Sequence, residues 1–312
     1  MPRAAFQRGR IAQAPRPRHP TALLCAIYLS IAATGCASLG QGPIPRSVAT
    51  CRQLSAQGIN ALERGEVDRA ESLLSQAVHT CPADVDARRY YAEALWRRGH
   101  RDRAVKQLEE AQRMTGEDQA IVIRSGEMYL ELGRIVEARH EAQRAIELDP
   151  RSSAAWILRG KTFEAAGQGD VALASYQRAL TYAPGNPQAL LAIAEAHRGR
   201  GQPEQALAAL QSLLETYQVS DEPQHVLYLQ GLALAALGRH DDAVESYGLA
   251  VQRGKPNADL LYELAQAEYA AGRPGNAQAA THQALAVQPS HPGAQRLLNQ
   301  LRVAQSPGSR TQ

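Results

Sequence analysis

The 312-residue sequence predicts an all-α protein, a solenoid of about seven helix hairpins followed by a C-terminal capping helix. The first observation behind this prediction is a ladder of glycines, most of them 34 residues apart. The second is an alanine five residues after each glycine, and the third is a helical spacing of apolar residues around each glycine. The glycines are Gly65, Gly99, Gly133, Gly167, Gly201, Gly238 and Gly272, and the alanines are Ala70, Ala104, Ala138, Ala172, Ala206, Ala243 and Ala277. A fixed period of this size is typical of a repeat array.

Residues 153–186 illustrate one unit of the array. Gly160 and Phe163 lie on one apolar face of a first helix, which ends at Gly167, where a left-handed backbone conformation favours glycine. A second amphipathic segment follows and ends at Pro184, which cannot continue a helix. Each unit is therefore predicted to be two antiparallel helices joined by a tight turn.

Seven repeats follow when the turn glycine is counted as residue 15 of each unit. They cover residues 51–84, 85–118, 119–152, 153–186, 187–220, 224–257 and 258–291. Residue 8 of every repeat is Gly or Ala, which lets the two helices approach closely. Most repeats also have large residues at positions 4, 11 and 24, Ala at 20 and 27, and Pro at 32. This pattern resembles that of tetratricopeptide repeats (TPRs).

Three repeats depart from the TPR pattern. The second has Gly116 in place of the proline, and the sixth has Lys255 there. The fifth has Leu213 in place of an alanine, lacks the proline, and is followed by three extra residues, 221–223. We expect these extra residues to lengthen one loop between repeats.

The resemblance implies a right-handed superhelix of stacked hairpins over residues 51–291. Residues 292–304 form an amphipathic segment suited to a capping helix, because Leu297, Leu298 and Leu301 would turn inward. Residues 305–312 have no apolar face and are predicted to be a disordered tail.

The first 35 residues have the composition of a signal peptide. A basic segment without acidic residues precedes the uncharged stretch 21–35, which is short for a membrane span but suits a signal-peptide core. The segment 33–36 resembles a bacterial lipobox, which implies lipidation of Cys36, although Ala33 replaces the usual leucine. Ordinary secretion, an uncleaved anchor and a start site further along the chain remain alternatives. Residues 36–50 are predicted to be a tether.

The predicted location is the bacterial cell envelope, with the lipid on Cys36 anchoring the chain to a membrane. Resemblance to bacterial lipoproteins favours the outer membrane, because no Asp follows Cys36 directly. Secretion to the periplasm is the alternative. Five of the 34 basic residues lie in the signal segment, so the mature chain would carry 29 basic and 31 acidic residues, a formal charge of −2. This balance argues against a nucleic-acid partner.

Two further cysteines fall in the first repeat. Cys51 and Cys81 are at residues 1 and 31 of that repeat, where the start of the first helix and the end of the second lie side by side. In an oxidising compartment they could form a disulfide that staples the terminal repeat. Two free cysteines that fill small gaps are the alternative.

In the TPR family the first helices of successive repeats line a concave surface, at residues 2, 5, 6, 9, 12 and 13 of each repeat. An apolar floor with charged edges suits a protein or peptide partner. The candidate contact residues are Arg89, Tyr90, Trp96, Ile123, Arg124, Leu158, Tyr228, Leu229, Tyr262 and Tyr269. The alternative for residue 5 is packing against the next repeat, which applies in part to Tyr228 and Tyr262. Because residue 6 is never Asn, a carboxylate-clamp site for chaperone tails is not expected.

We find no motif for catalysis, and we expect no metal and no cofactor. The histidines are scattered, and Gly-rich phosphate loops are absent. The sequence thus predicts a non-enzymatic envelope scaffold that binds a protein partner in its groove, in a setting such as assembly of a pilus or secretion machine. One alternative is a groove for a glycan or an exported polysaccharide, and another is a subunit that positions a catalytic partner.

Overall fold

The computed structural model describes residues 46–305 apart from 117 and 219. Every regular element described there is an α-helix. The helices are α1 (Arg46–Glu63), α2 (Val67–Thr80), α3 (Val85–Arg97), α4 (Arg101–Thr115), α5 (Gln119–Glu131), α6 (Ile135–Leu148), α7 (Ser153–Ala165), α8 (Gly169–Tyr182), α9 (Pro187–Gly199), α10 (Pro203–Leu214), α11 (Gln224–Ala236), α12 (His240–Arg253), α13 (Ala258–Ala270), α14 (Pro274–Val287) and α15 (Pro292–Gln305). Among them, no helix has both the length and the apolar composition that crossing a bilayer requires.

The helices pack in chain order as seven hairpins, from α1–α2 to α13–α14, followed by the single helix α15. From α2 to α15 each helix contacts the next, and Leu74 of α2 lies against Gly58 of α1. The larger contacts between alternate helices described in the structure join first helices: α5 with α7, α11 with α13, and α13 with α15. This closer approach on one side curves the array toward its first helices. The predicted all-α solenoid of TPR-like hairpins is confirmed.

The ladder glycines adopt the left-handed conformation predicted for them, with φ between 67° and 84°. In the fourth repeat, Gln168 N–H donates back to Phe163 O at 2.8 Å and closes the end of α7. A Cβ atom built on Gly167 would meet nothing within 4 Å. The glycine is therefore required by the backbone conformation and not by lack of space.

The last residue of a repeat caps the first helix of the next one, a role the sequence analysis did not anticipate. The side-chain acceptor and the backbone N–H three residues later are 2.8 to 3.3 Å apart. The capping residues are Asp84, Asp118, Ser152, Asn186, Asn257 and His291. Each satisfies an N–H group that the helix itself leaves unpaired.

The fifth repeat is the exception to this capping rule. Its last residue, Ser220, has a φ of 79°, and the extra residues carry the chain to Pro223, which precedes α11 without a side-chain cap. Glu222 pairs with Arg253 at 2.8 Å and so attaches the longer loop to α12. The predicted lengthened loop thus lies between α10 and α11.

In repeats one, four and six the small residue at position 8 faces the large residue at position 24 of the same hairpin. A Cβ on Gly160 would lie 2.3 Å from the ring of Tyr176, and one on Gly231 would lie 2.4 Å from the ring of Tyr247. The close helix approach predicted from sequence has this specific form, because each glycine leaves space for an aromatic ring that is fully buried.

Two predicted boundaries need correction. Helix α1 begins at Arg46, so residues 46–50 are helical and do not belong to a tether. Helix α15 extends to Gln305, one residue into the predicted tail. Both shifts follow from helical geometry, since a helix continues until a breaker or a cap ends it. The predicted signal peptide, Cys36, the rest of the tether and residues 306–312 lie outside the described residues.

Candidate partner-binding groove

The ten candidate contact residues do not share one environment. Only Tyr269 is exposed, at 42%. Arg89, Tyr90, Ile123, Arg124, Tyr228 and Tyr262 are half-buried. Trp96, Leu158 and Leu229 are buried. We call the first-helix face that carries residues 2, 5, 6, 9, 12 and 13 of each repeat the groove.

The three buried candidates belong to the core and not to a binding surface. Leu158 is 1% exposed and lies over Gly126 of the preceding repeat, where a Cβ would be 2.5 Å from its Cδ2. Leu229 and Trp96 each join a hydrophobic cluster that spans three repeats. Their selection as contacts was wrong, because packing between repeats decides which residue of the first helix is covered.

In repeats two and three the charges in the groove compensate one another. Arg124 donates to Glu93 at 2.9 Å and to Glu127 at 3.1 Å. Burial alone would lower the pKa of the Arg124 guanidinium, but the two carboxylates raise it overall. Arg89 pairs with Asp86 at 3.3 Å and lies 5.0 Å from the ring centre of Tyr90. This half of the groove already satisfies its own charged groups.

The aromatic residues of repeat four are covered by arginines. Arg159 lies 4.7 Å from the ring centre of Phe163 and 5.5 Å from that of Trp156. Arg139, from the preceding repeat, lies 4.7 Å from the same Phe163 ring. Cation–π contacts of this kind occupy faces that a partner would otherwise use.

Tyr262 contacts the capping helix. Its ring lies against Gly293, where a Cβ would be 2.6 Å from Cζ, and 5.0 Å from the ring of His291. His291 Nδ1 accepts from Ala294 N–H, so its Nε2–H donates to Asp259 at 3.0 Å. These contacts attach α15 to the seventh repeat and remove much of Tyr262 from the groove surface.

A cavity of about 310 Å³ opens in the groove between repeats six and seven and α15. Its lining comes from residues 6, 9 and 12 of α13, from the end of α11, from the start of α12, and from α15. The lining residues are Ala235, His240, Glu263, Gln266, Ala267, Tyr269, Ala270, Leu297 and Gln300. Tyr269 was a sequence candidate, whereas the others were missed as contact residues.

Two tyrosines at equivalent places in repeats four and six differ in whether their hydroxyl group is hydrogen-bonded. In repeat four, the hydroxyl of Tyr176 donates to Glu164 Oε2 at 2.6 Å. Tyr247 holds the same place in repeat six, and its ring contacts Gly231 as Tyr176 contacts Gly160. The residue that matches Glu164 is Ala235, which cannot accept a hydrogen bond through its side chain. Accordingly, the Tyr247 hydroxyl is buried and has no hydrogen-bond partner among the described residues.

Glu263, which lines the cavity, is a further polar group without a hydrogen-bond or ion-pair partner among the described residues. Burial raises the pKa of its carboxyl group, and the nearby charge of Asp259 raises it further, while His291 opposes the shift. Tyr228, 6.0 Å from the ring of Tyr247, has a raised pKa from burial and from Glu263. The site is therefore rich in hydrogen-bond acceptors and carries negative charge.

The described part of the chain offers no group of three His, Cys, Asp or Glu side chains that could hold a metal ion. The buried thiol of Cys51 is 3.4 Å from Asp84 Oδ2. Burial, together with a hydrogen bond to Cys81, raises the pKa of the Cys51 thiol to about 12. The thiolate form that a nucleophile needs is thereby disfavoured. The sulfur atoms of Cys51 and Cys81 are close but not bonded in this structure, so their disulfide stays a prediction.

The tyrosine pair predicts opposite effects of one substitution. Tyr176→Phe removes a hydrogen bond to a carboxylate and should lower the free energy of unfolding by about 1.5 kcal/mol. Tyr247→Phe removes a buried hydroxyl without a partner and should leave that free energy unchanged or raise it by up to about 1 kcal/mol. Urea denaturation followed by circular dichroism compares the two variants. A greater loss for Tyr247→Phe would mean that its hydroxyl has a partner.

The raised pKa of Glu263 predicts that Glu263→Gln stabilises the protein at neutral pH, by about 1–2 °C in melting temperature. Because the folded state disfavours the ionised carboxylate, the gain should be full above the folded-state pKa. It should shrink as the pH falls through that pKa toward the ordinary value of 4.5, and vanish below it. Melting curves of both proteins from pH 8 to pH 3.5 test this. A gain that grows in acid would contradict the prediction.

Comparisons with known proteins agree with this architecture. Three models of the tetratricopeptide repeat family match the chain, the first at residues 61–120 and 164–227, the second at 92–153 and 125–187, and the third at 224–253. Together they span residues 61–253, more than half of the chain. None of the curated proteins compared with the chain matches its sequence.

Solved structures with low sequence identity share the fold. A tetratricopeptide repeat protein from Parabacteroides merdae is 16% identical, with a TM-score of 0.57 over 81% of this chain and 99% of its own. YrrB, described as a TPR protein with an unusual peptide-binding site, is 20% identical, with a TM-score of 0.53 over 61% and 96%. PilW, described as a type IV pilus biogenesis factor, is 18% identical, with a TM-score of 0.53 over 80% and 98%. The repeat matches and the hairpin array together show that the chain belongs to the tetratricopeptide repeat family.

Proposed function

We propose that this protein is a non-enzymatic scaffold of the bacterial cell envelope that binds a protein partner in its groove. The contact is centred on repeats six and seven and α15. The observation that carries the proposal is the cavity in this part of the groove, where Glu263 has no hydrogen-bond or ion-pair partner among the described residues and Tyr269 is exposed. Unpaired polar groups beside an exposed aromatic residue are typical of a surface that is completed by binding.

The distribution of charge supports this end of the groove over the other. Arg124 and its carboxylate partners satisfy one another in repeats two and three, so a partner would have to displace existing ion pairs there. Glu263 offers a carboxylate that is paired with none of the residues the structure describes. Binding at the C-terminal end therefore gains an interaction without losing one.

The proposed setting is the assembly of an envelope or pilus machine, with the array held near a membrane by a lipid on Cys36. The support is the signal-like segment before Cys36 and the likeness in fold to PilW, which is a pilus biogenesis factor. The likeness to YrrB, which has a peptide-binding site, supports a protein or peptide as the ligand. An outer-membrane location is part of the proposal.

A photocrosslinking amino acid tests the groove. Placed at Tyr269 of the full chain in its native cells, it should form a defined adduct with a partner protein, because that side chain projects into the groove. Val136 on α6, which is 80% exposed outside the groove, is the matched control and should not form this adduct. Identical adducts from both positions, or an adduct from Val136 alone, would place the partner elsewhere.

The Cys36→Ser variant tests the anchor. Labelled fatty acid should enter the wild-type protein and not the variant, and the variant should move from the membrane fraction to the soluble fraction, because stable attachment depends on the acyl chains. Immunoblots of the two fractions measure the change. If the variant stays with the membranes and the wild type takes up no label, the lipid anchor is wrong.

A further inference from the structure

We propose that the cavity between repeats six and seven and α15 receives one basic side chain, an arginine or a lysine, from the bound partner. The proposal rests on the proposed function, since it names the chemistry of the group that enters the groove. It is specific to this cavity, and it follows from three features: the polar groups that lack partners, the absence of an internal cation, and the apolar walls.

The polar groups at the cavity are mostly acceptors. The carboxylate of Glu263 lines the cavity and has no hydrogen-bond or ion-pair partner among the described residues. The side-chain oxygens of Gln266 and Gln300 add two acceptors. A group that fits this set must bring several donors. A guanidinium carries five N–H donors and an ammonium three, whereas a carboxylate carries none.

No cation of the described chain supplies these donors. Arg273, at the turn between α13 and α14, pairs with Glu268 at 2.5 Å and with Asp241 at 3.1 Å. The imidazole of His291 is held by Asp259 and by the start of α15. Glu263 therefore makes no ion pair with a described residue, although the charge of His291 acts on it, and an acidic side chain would meet repulsion from Glu263 and Asp259.

In repeat four, the equivalent tyrosine hydroxyl is hydrogen-bonded by a residue of the same hairpin. There, Glu164 accepts from Tyr176, and the hydroxyl needs nothing further. In repeat six the corresponding residue, Ala235, lines the cavity, and the Tyr247 ring lies against Gly231 as the Tyr176 ring lies against Gly160. The difference between two otherwise equivalent repeats thus creates both the space and the unpaired hydroxyl.

The walls suit the stem of a long side chain. Ala235, Ala267 and Leu297 give an apolar surface along which methylene groups can pack, as they do in buried lysine and arginine stems. The exposed ring of Tyr269 stands at the cavity and can contact a cation. A volume of about 310 Å³ is sufficient for one long side chain.

The test uses two small probes of nearly equal shape. The full chain, with labelled alanine and leucine methyl groups, is titrated with N-acetyl-arginine amide or with its neutral analogue N-acetyl-citrulline amide. The arginine probe should shift the methyl signals of Ala235, Ala267 and Leu297 in a saturable way. The citrulline probe should bind about tenfold more weakly, because it lacks the charge that pairs with Glu263.

Three variants complete the test. Glu263→Gln should weaken the arginine probe about tenfold, whereas Glu195→Gln, on the same face but outside the cavity, should leave its binding unchanged. Ala235→Gln should abolish the methyl shifts at Ala267 and Leu297, because its side chain fills the cavity and accepts from Tyr247. Unchanged methyl spectra away from the cavity report that each variant is folded.

Equal binding of the citrulline probe, or undiminished binding to Glu263→Gln, would overturn the proposal. So would shifts confined to methyl groups outside the cavity. These outcomes are independent of the crosslinking test. If the arginine probe binds but no adduct forms at Tyr269, the proposed partner contact is wrong and the site for a basic group stands. If the adduct forms but the arginine probe does not bind, the groove contact stands and the site for a basic group is wrong.

Discussion

Repeats one, four and six depend on the contact between residue 8 of the first helix and a large residue 24 of the second. Where residue 24 is tyrosine, as in Tyr176 and Tyr247, residue 8 is glycine, and a Cβ atom there would lie 2.3 or 2.4 Å from an atom of the ring. The contact sets how closely the two helices approach. It also fixes the direction of the tyrosine ring, so that the hydroxyl is directed along the first helix toward residue 12.

The candidate site follows from this constraint. Because the ring cannot turn, the residue at position 12 decides whether the hydroxyl is satisfied. Glu164 satisfies it in repeat four, and Ala235 does not in repeat six. Helix α15 then closes the far side of the space through Leu297 and Gln300, while His291 and Tyr262 hold that helix in place. The glycine–tyrosine contact, the alanine at residue 12 of repeat six and helix α15 together form a cavity that no single repeat could form.

Sequence periodicity predicts the fold well and the site poorly, for physical reasons. The ladder glycines, such as Gly167, have one backbone conformation that L-residues with a side chain adopt at a cost, so they mark every turn. The capping role of residues such as Asp118 and Asn186 was not predicted, although polar residues recur at the ends of the repeats. The sequence does not show which residues of the groove are exposed. Leu158, for example, is buried because it packs against Gly126 of the preceding repeat, and the repeat period does not describe contacts between repeats.

The cavity was out of reach of sequence reasoning for a further reason. Tyr247 and Ala235 can be aligned with Tyr176 and Glu164 in the printed sequence, but only the ring geometry shows that a hydroxyl is directed at residue 12. In a repeat array, stability is close to a sum over units and their interfaces, so one unit can keep groups that weaken it while the others hold the fold. Glu263 and Tyr247 are such groups, because both are held at the expense of hydration without a partner among the described residues. The proposed partner would supply the interaction that Glu263 lacks within the scaffold.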